Sequence, residues 1–302
     1  MSESQNFFVS SRGLLKSCDF FSQTPISSIR ALVNYFDKDF QKIATMKNPT
    51  IYVCASAIPH FVDNLLPHIN FPFILVSGDC DETAPYELFS NSDSFNSFLN
   101  DARLVHWFCQ NMTFVHSKIT NMPIGLDYHT MTVNKMWGDI TSCADQEKML
   151  KSVIAESKPF WERQIKCYSN FHFSMSTKYG QDRKDAYAQI PSDLVFYEPK
   201  HLPRLETWNA QKDYAFLISP HGNGLDCHRT WEALVLGCIP IVKTSKIDIL
   251  YDDLPVLIVN NWSDVSSDLL KTTVNDFKKR TFNYEKLSLQ YWTKKMNDIQ
   301  NC

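Results

Sequence analysis

Apolar residues along the chain fall into short runs separated by amphipathic stretches. Ile51-Tyr52-Val53-Cys54-Ala55, Phe73-Ile74-Leu75-Val76 and Leu104-Val105-His106-Trp107-Phe108 read as buried strands, with Phe114-Val115 as a short fourth. Ile119 to Leu126 continues as another extended piece. Ile26 to Ile43 carries Ile29, Leu32, Val33, Phe36 and Phe40 near helical spacing, and Phe61 to Ile69 and Phe95 to Leu99 read as shorter helices. The polar, acidic stretch 79–94 reads as a loop. Beyond Lys158-Pro159, which reads as a linker, strands are predicted at Ile165–Tyr168, Leu194–Tyr197, Tyr214–Ile218, Ile239–Val242 and Leu254–Val259. Helices are predicted at Asp145–Val153, Gln181–Ile190, Val265–Leu270 and Tyr284–Ile299. Short strands alternating with helices predict an α/β protein with parallel pairing.

The stretch Phe216 to Lys243 is the most informative. Phe216-Leu217-Ile218 is a buried strand, and Pro220, Gly222 and Gly224 break it into a loop whose backbone can approach a ligand closely. Asp226 is placed to cap a helix carrying Trp231, Ala233, Leu234 and Leu236 at helical spacing. Gly237 ends that helix before the strand Ile239-Pro240-Ile241-Val242. A helix N-terminus over a glycine loop is a site for phosphate. Asp226, Arg229 and Glu232 fall at i, i+3 and i+6, roughly along one helix face. Trp231 lies off that face and is expected to pack.

Composition narrows the classes. With 302 residues, the chain suits two domains of about 150 residues each. A net charge of −3 argues against general electrostatic binding to nucleic acid. No apolar run approaches the roughly 18 residues of a membrane span. The opening MSESQNFFVSSRGLL lacks a basic start followed by an apolar core, and the nine cysteines are scattered without a C-x-x-C pair. The expectation is a cytoplasmic protein, cellular or virus-encoded, with reduced thiols. The His and Cys residues show no compact zinc spacing, so no resident metal is expected from them. P-loop and nucleophile-elbow motifs do not occur.

The segment of Pro220-His221-Gly222, Arg229, Glu232-Ala233 and Gly237-Cys238-Ile239-Pro240-Ile241 resembles the nucleotide-sugar half of exostosin-like glycosyltransferases. The resemblance covers about a tenth of the chain. It implies GT-B architecture: two Rossmann-like domains facing a central cleft, with a nucleoside-diphosphate sugar bound mainly by the second and a glycan acceptor by the first. The corresponding division is 1–158 for the acceptor side, 159–283 for the donor side and 284–302 for a helix crossing back. Inversion at the anomeric carbon is likewise implied by the family. Under this reading Arg229 pairs with the diphosphate, and His221, Gly222, Asn223 and Gly224 line it. Glu232 holds sugar hydroxyls or pairs with Arg229, and Asp226 caps the helix or joins the ligand site. Arg183, opening a helix after a strand and loop, is either a second diphosphate contact or an ordinary surface cation.

Asp79-Cys80-Asp81-Glu82 follows a strand and supports two chemistries beside that of a plain acidic loop. In the GT-B reading Asp79 or Asp81 is the base for the acceptor hydroxyl, with Asp127, in the Pro123–Asp127 run, as the reserve. In a GT-A-like reading Asp79 and Asp81 hold manganese or magnesium against the donor diphosphate. The donor-like segment follows this pair far along the chain, which favours the base reading and no obligatory metal cofactor. A third reading is a non-catalytic carbohydrate- or nucleotide-binding module that keeps the Arg229 site.

Overall fold

The computed structural model describes residues 2–21 and 42–302. The strands are β1 (Thr50–Cys54), β2 (Phe73–Gly78), β3 (Leu104–Cys109), β4 (Ile119–Asn121), β5 (Gln164–Ser169), β6 (Val195–Tyr197), β7 (Tyr214–Ile218), β8 (Ile239–Lys243) and β9 (Leu257–Val259). The helices are α1 (Ser11–Leu15), α2 (Ile58–His60, continued by tighter and wider turns to His68), α3 (Ser92–Leu99), α4 (His129–Val133) and α5 (Cys143–Ala155). They continue with α6 (Gly180–Gln189), α7 (Arg204–Gln211), α8 (His228–Val235), α9 (Ser267–Phe277) and α10 (Leu289–Asn301).

Among the described residues all strand pairs are parallel, and they form two sheets, β1-β2-β3-β4 and β6-β5-β7-β8-β9. The architecture is thus α/β and compatible with a Rossmann-like fold. The described strands of the first sheet follow chain order. In the second sheet the order reverses between β5 and β7, and such a switch point opens a crevice at the carboxyl ends of the two strands.

The strands read as continuous apolar runs because both faces of each sheet are covered. Alternate residues enter different cores. Tyr52, Ile74, Val76 and Phe108 from the first sheet share one inner core with Tyr168, Leu217 and Val242 from the second, and with Trp231 and Leu234 of α8. Ile51, Val53, Leu75 and Trp107 face an outer core with Phe61, Phe95 and Phe98. Cys167, Phe216, Ile218 and Ile241 face the other outer core with Leu270 and Val274 of α9. The C-terminal helix α10 returns to the start of the chain. Leu289 N–H donates to Phe7 O at 2.8 Å, Val9 N–H to Leu287 O at 2.9 Å, and the Lys47 ammonium to Asn301 O at 2.8 Å. Among the described residues no helix is long and apolar enough to cross a membrane.

Several sequence expectations change. Phe114-Val115 forms no strand; Val115 is 78% exposed, and β4 begins instead at Ile119. The predicted helix Tyr284–Ile299 is broken at Ser288, which bridges Phe8 and caps α10 by accepting from Tyr291 N–H. Helix α9 extends well past Leu270, and β9 is confined to Leu257–Val259. Helix α7 was not predicted, because its apolar contact rests largely on Trp208 in a polar stretch. The predicted helix Ile26–Ile43 lies, but for its last two residues, outside the described residues.

Candidate functional site

A cavity of about 480 Å³ opens at the carboxyl ends of β5 and β7, within the size range of small-molecule sites. Its walls include Arg183, Gly222, Asn223, Gly224, Asp226, Arg229 and Glu232 from the second half of the chain, and Asp81, Ile124 and Trp137 from the first.

Local packing builds the wall formed by the β7–α8 loop. Strand β7 and helix α8 are pinned where Ser219 Oγ meets Thr230 Oγ1 at 2.8 Å. Between them the loop folds on itself: Gly222 N–H donates to Gly224 O at 3.1 Å. The β5–α6 loop is stitched to it by Tyr179 N–H to Gly222 O at 2.9 Å and Lys178 N–H to Asn223 Oδ1 at 3.2 Å. A Cβ at position 222 would stand 2.8 Å from Arg183 Nη2, so a side chain there would push the end of Arg183 aside. Arg183, buried on α6, donates through Nε to His221 O at 3.1 Å and through Nη1 to Ser174 O. Burial, with the nearby Arg229 charge, lowers its pKa to about 10. Arg229 donates through Nη2 to Pro220 O at 2.7 Å, while its buried Nε has no partner among the described residues. Two cations thus converge on one loop of a cavity.

The other expected residues divide. His221 is buried with Nδ1 donating to Leu225 O at 2.8 Å and its backbone N–H held by Asp182 Oδ2 at 2.9 Å; it supports the loop and is absent from the cavity lining. Glu232 lines the cavity, but its ionic partner is Arg204, with Nε 3.7 Å from Oε1, rather than Arg229.

Asp226 does not cap the helix, whose N-cap is Cys227. Its carboxylate instead accepts Ile124 N–H at 2.7 Å, the Trp231 indole N–H at 2.9 Å, Cys227 N–H at 3.0 Å and the Tyr251 hydroxyl at 3.2 Å. Burial raises its pKa against these donors. Asp226 N–H also donates to Asn111 Oδ1 at 2.9 Å. The residue therefore ties the α8 loop to the first sheet.

The three candidate bases are placed differently. Asp79 follows β2 in the left-handed region (φ 53°) and is buried, 3.5 Å from Arg12 Nη2. Burial raises its pKa to about 6, against the pull of Arg12 and His228. It lies outside the cavity lining, whereas the half-buried Asp81 is part of it. Asp127 accepts Thr130 N–H at 2.9 Å and its hydroxyl at 2.7 Å, stands 3.2 Å from His129 Nδ1, and is also outside the lining. Burial pushes its pKa up, yet His228, His129, Arg204 and the Thr130 N–H outweigh this and leave it at about 2. Among the described residues no group of three or more His, Cys, Asp or Glu side chains is arranged to hold a metal ion.

Sequence reasoning missed several wall residues. Arg204 is a buried cation that donates to Asp127 O and to Gln146 Oε1, and lies 4.4 Å from the Trp137 ring centre. At the far end, beyond β5 and β6, Glu198 accepts the Tyr168 hydroxyl at 3.0 Å, and the Phe173 and His201 rings lie tilted against each other with centres 4.1 Å apart. His228 donates from Nδ1 to Gly125 O at 2.7 Å. Only its place beside Arg229 in the chain could have drawn notice to it. No protein-family model matches the chain, and no curated protein is similar to it at a significant level.

Proposed function

We propose that the chain is a glycosyltransferase of GT-B architecture that moves a sugar from a nucleoside-diphosphate sugar to a glycan hydroxyl, with inversion at the anomeric carbon. One observation carries the reading: Arg183 and Arg229 converge with the Gly222–Gly224 loop on a cavity at the switch point of a parallel sheet. Planar guanidinium groups match phosphate oxygens, and the buried Arg229 Nε, without a partner among the described residues, is a donor in need of an acceptor. In this reading 1–158 is the acceptor side, 159–283 the donor side and 284–302 the returning helix.

The donor diphosphate rests against Arg183, Arg229 and the loop. These groups stabilise the charge that grows on the leaving diphosphate. Asp81, from the first half of the chain, lines the cavity beside Gly224 and is the carboxylate offered to the acceptor. The setting is cytoplasmic, in keeping with nine cysteines of which none is paired.

The test has two parts. Calorimetry with UDP, GDP and other nucleoside diphosphates should give saturable binding. Labelled donors offered with a glycan panel should give transfer. Binding without transfer would leave a non-catalytic carbohydrate- or nucleotide-binding module. Loss of turnover in chelator, restored by manganese and abolished in Asp79→Asn or Asp81→Asn, would turn the reading to metal-dependent GT-A-like chemistry.

A further inference from the structure

The cavity wall carries a better-prepared proton acceptor than any carboxylate named so far. His228 is the first residue of α8, lines the cavity and directly precedes Arg229. Its Nδ1 is 2.7 Å from Gly125 O. A carbonyl oxygen only accepts, so Nδ1 carries the hydrogen and the neutral ring keeps its lone pair at Nε2. No protein group among the described residues takes Nε2, nor is that atom a buried orphan. The ring is thus held in one tautomer by the first half of the chain while its backbone belongs to the second.

Apart from Asp81, the other carboxylates at the wall are committed. Asp226 is saturated by four donor groups, and Glu232 faces Arg204. Glu198 is bonded to Tyr168 at the far end, whereas Asp79 and Asp127 lie outside the lining. Asp79, Asp81 and Asp127 are nonetheless near enough for the His228 charge to favour their ionised forms.

We infer that His228 is the general base of the transfer reaction, an assignment that rests on the glycosyltransferase reading above. The acceptor hydroxyl gives its proton to His228 Nε2. Its oxygen lone pair forms the bond to the anomeric carbon while the bond from that carbon to the diphosphate oxygen breaks. The bonding pair leaves with the diphosphate, next to Arg229. The imidazolium then returns its proton to water.

The experiment compares wild type, His228→Gln, His228→Ala and Asp81→Asn. It measures nucleoside-diphosphate release from a donor panel with glycan acceptors, calorimetric binding of UDP and GDP, and thermal melting as a control for folding. The expected result is a kcat lowered by roughly two to four orders of magnitude in His228→Gln, with nucleotide affinity within about twofold of wild type. Added imidazole should restore part of the rate in His228→Ala, which a purely structural role would not allow. Near-normal turnover in His228→Gln, or a loss confined to Asp81→Asn, overturns the assignment and leaves the transferase reading standing. A His228→Gln defect that follows nucleotide affinity, without imidazole rescue, also overturns it. Wild-type protein that binds nucleotide and turns over no donor overturns both.

Discussion

Arg183 and Arg229 donate to neighbouring carbonyls of one loop, those of His221 and Pro220, at 3.1 and 2.7 Å. Among the described residues neither makes an ion pair with a carboxylate within 4.0 Å. Two like charges held this way repel, and an anion between them removes the conflict.

Arg229→Ala should therefore weaken nucleoside-diphosphate binding. A charge-assisted hydrogen bond is worth about 1.5–3 kcal/mol, or roughly ten- to a hundredfold in Kd. The fold should change by less than about 1 kcal/mol, because the side chain is half-buried and its loss also relieves Arg183. Calorimetry decides: unchanged affinity in a folded variant removes Arg229 from the site.

Asp226 should behave in the opposite way. Asp226→Ala strips the acceptor from Ile124 N–H, Trp231, Cys227 N–H and Tyr251 at the seam of the two sheets. Leaving buried donors unmet should cost about 3–5 kcal/mol in urea unfolding. A variant with wild-type stability would show that this carboxylate does not hold the seam.

That contrast marks what was legible in the sequence. Strands such as Phe73–Val76 and Tyr214–Ile218 were readable because parallel strands covered on both faces are continuous apolar runs. Gly237, at φ 74°, ends α8 as expected. Arg229, Gly222 and Gly224 were legible because local strand–loop–helix chemistry brings them together. Asp226 was misjudged because four residues' donors reach it, and two of those, Ile124 and Tyr251, are remote in the chain. Arg204 and His228 were missed for the same reason: their partners Asp127, Gln146 and Gly125 come from the first half. Helical or strand periodicity carries no information about such pairings.

If the cavity holds a diphosphate leaving group as proposed, two guanidinium groups and loop N–H groups stand close by, and turnover should not need a divalent ion. Any transfer activity in millimolar-scale chelator should match that of the untreated protein to within roughly twofold. Loss on chelation and recovery with manganese would point to Asp79 and Asp81 as ligands.

Asp79 gives the clearest pH signature. Burial raises its folded pKa from 3.8 to about 6 despite Arg12. Between these values the folded state binds the proton more strongly than the unfolded state, so stability falls as pH rises from about 4 to about 6. Above that range the ionised carboxylate costs about 3 kcal/mol, good to a factor of about two. Asp79→Asn removes the charge and suits the left-handed backbone at φ 53°, a conformation asparagine tolerates. The variant should therefore be more stable than wild type at pH 7, by about 1–3 kcal/mol once the lost Arg12 pairing is counted, and the advantage should disappear by pH 4. Asp127→Asn should show the reverse. Its folded pKa of about 2 lies below the unfolded value, so the ionised carboxylate contributes stability above about pH 4 that is lost towards pH 2. Urea unfolding of both variants from pH 3 to pH 8 makes the comparison. If Asp79→Asn is destabilised at pH 7, the Arg12 pair outweighs burial and the residue is a structural anion.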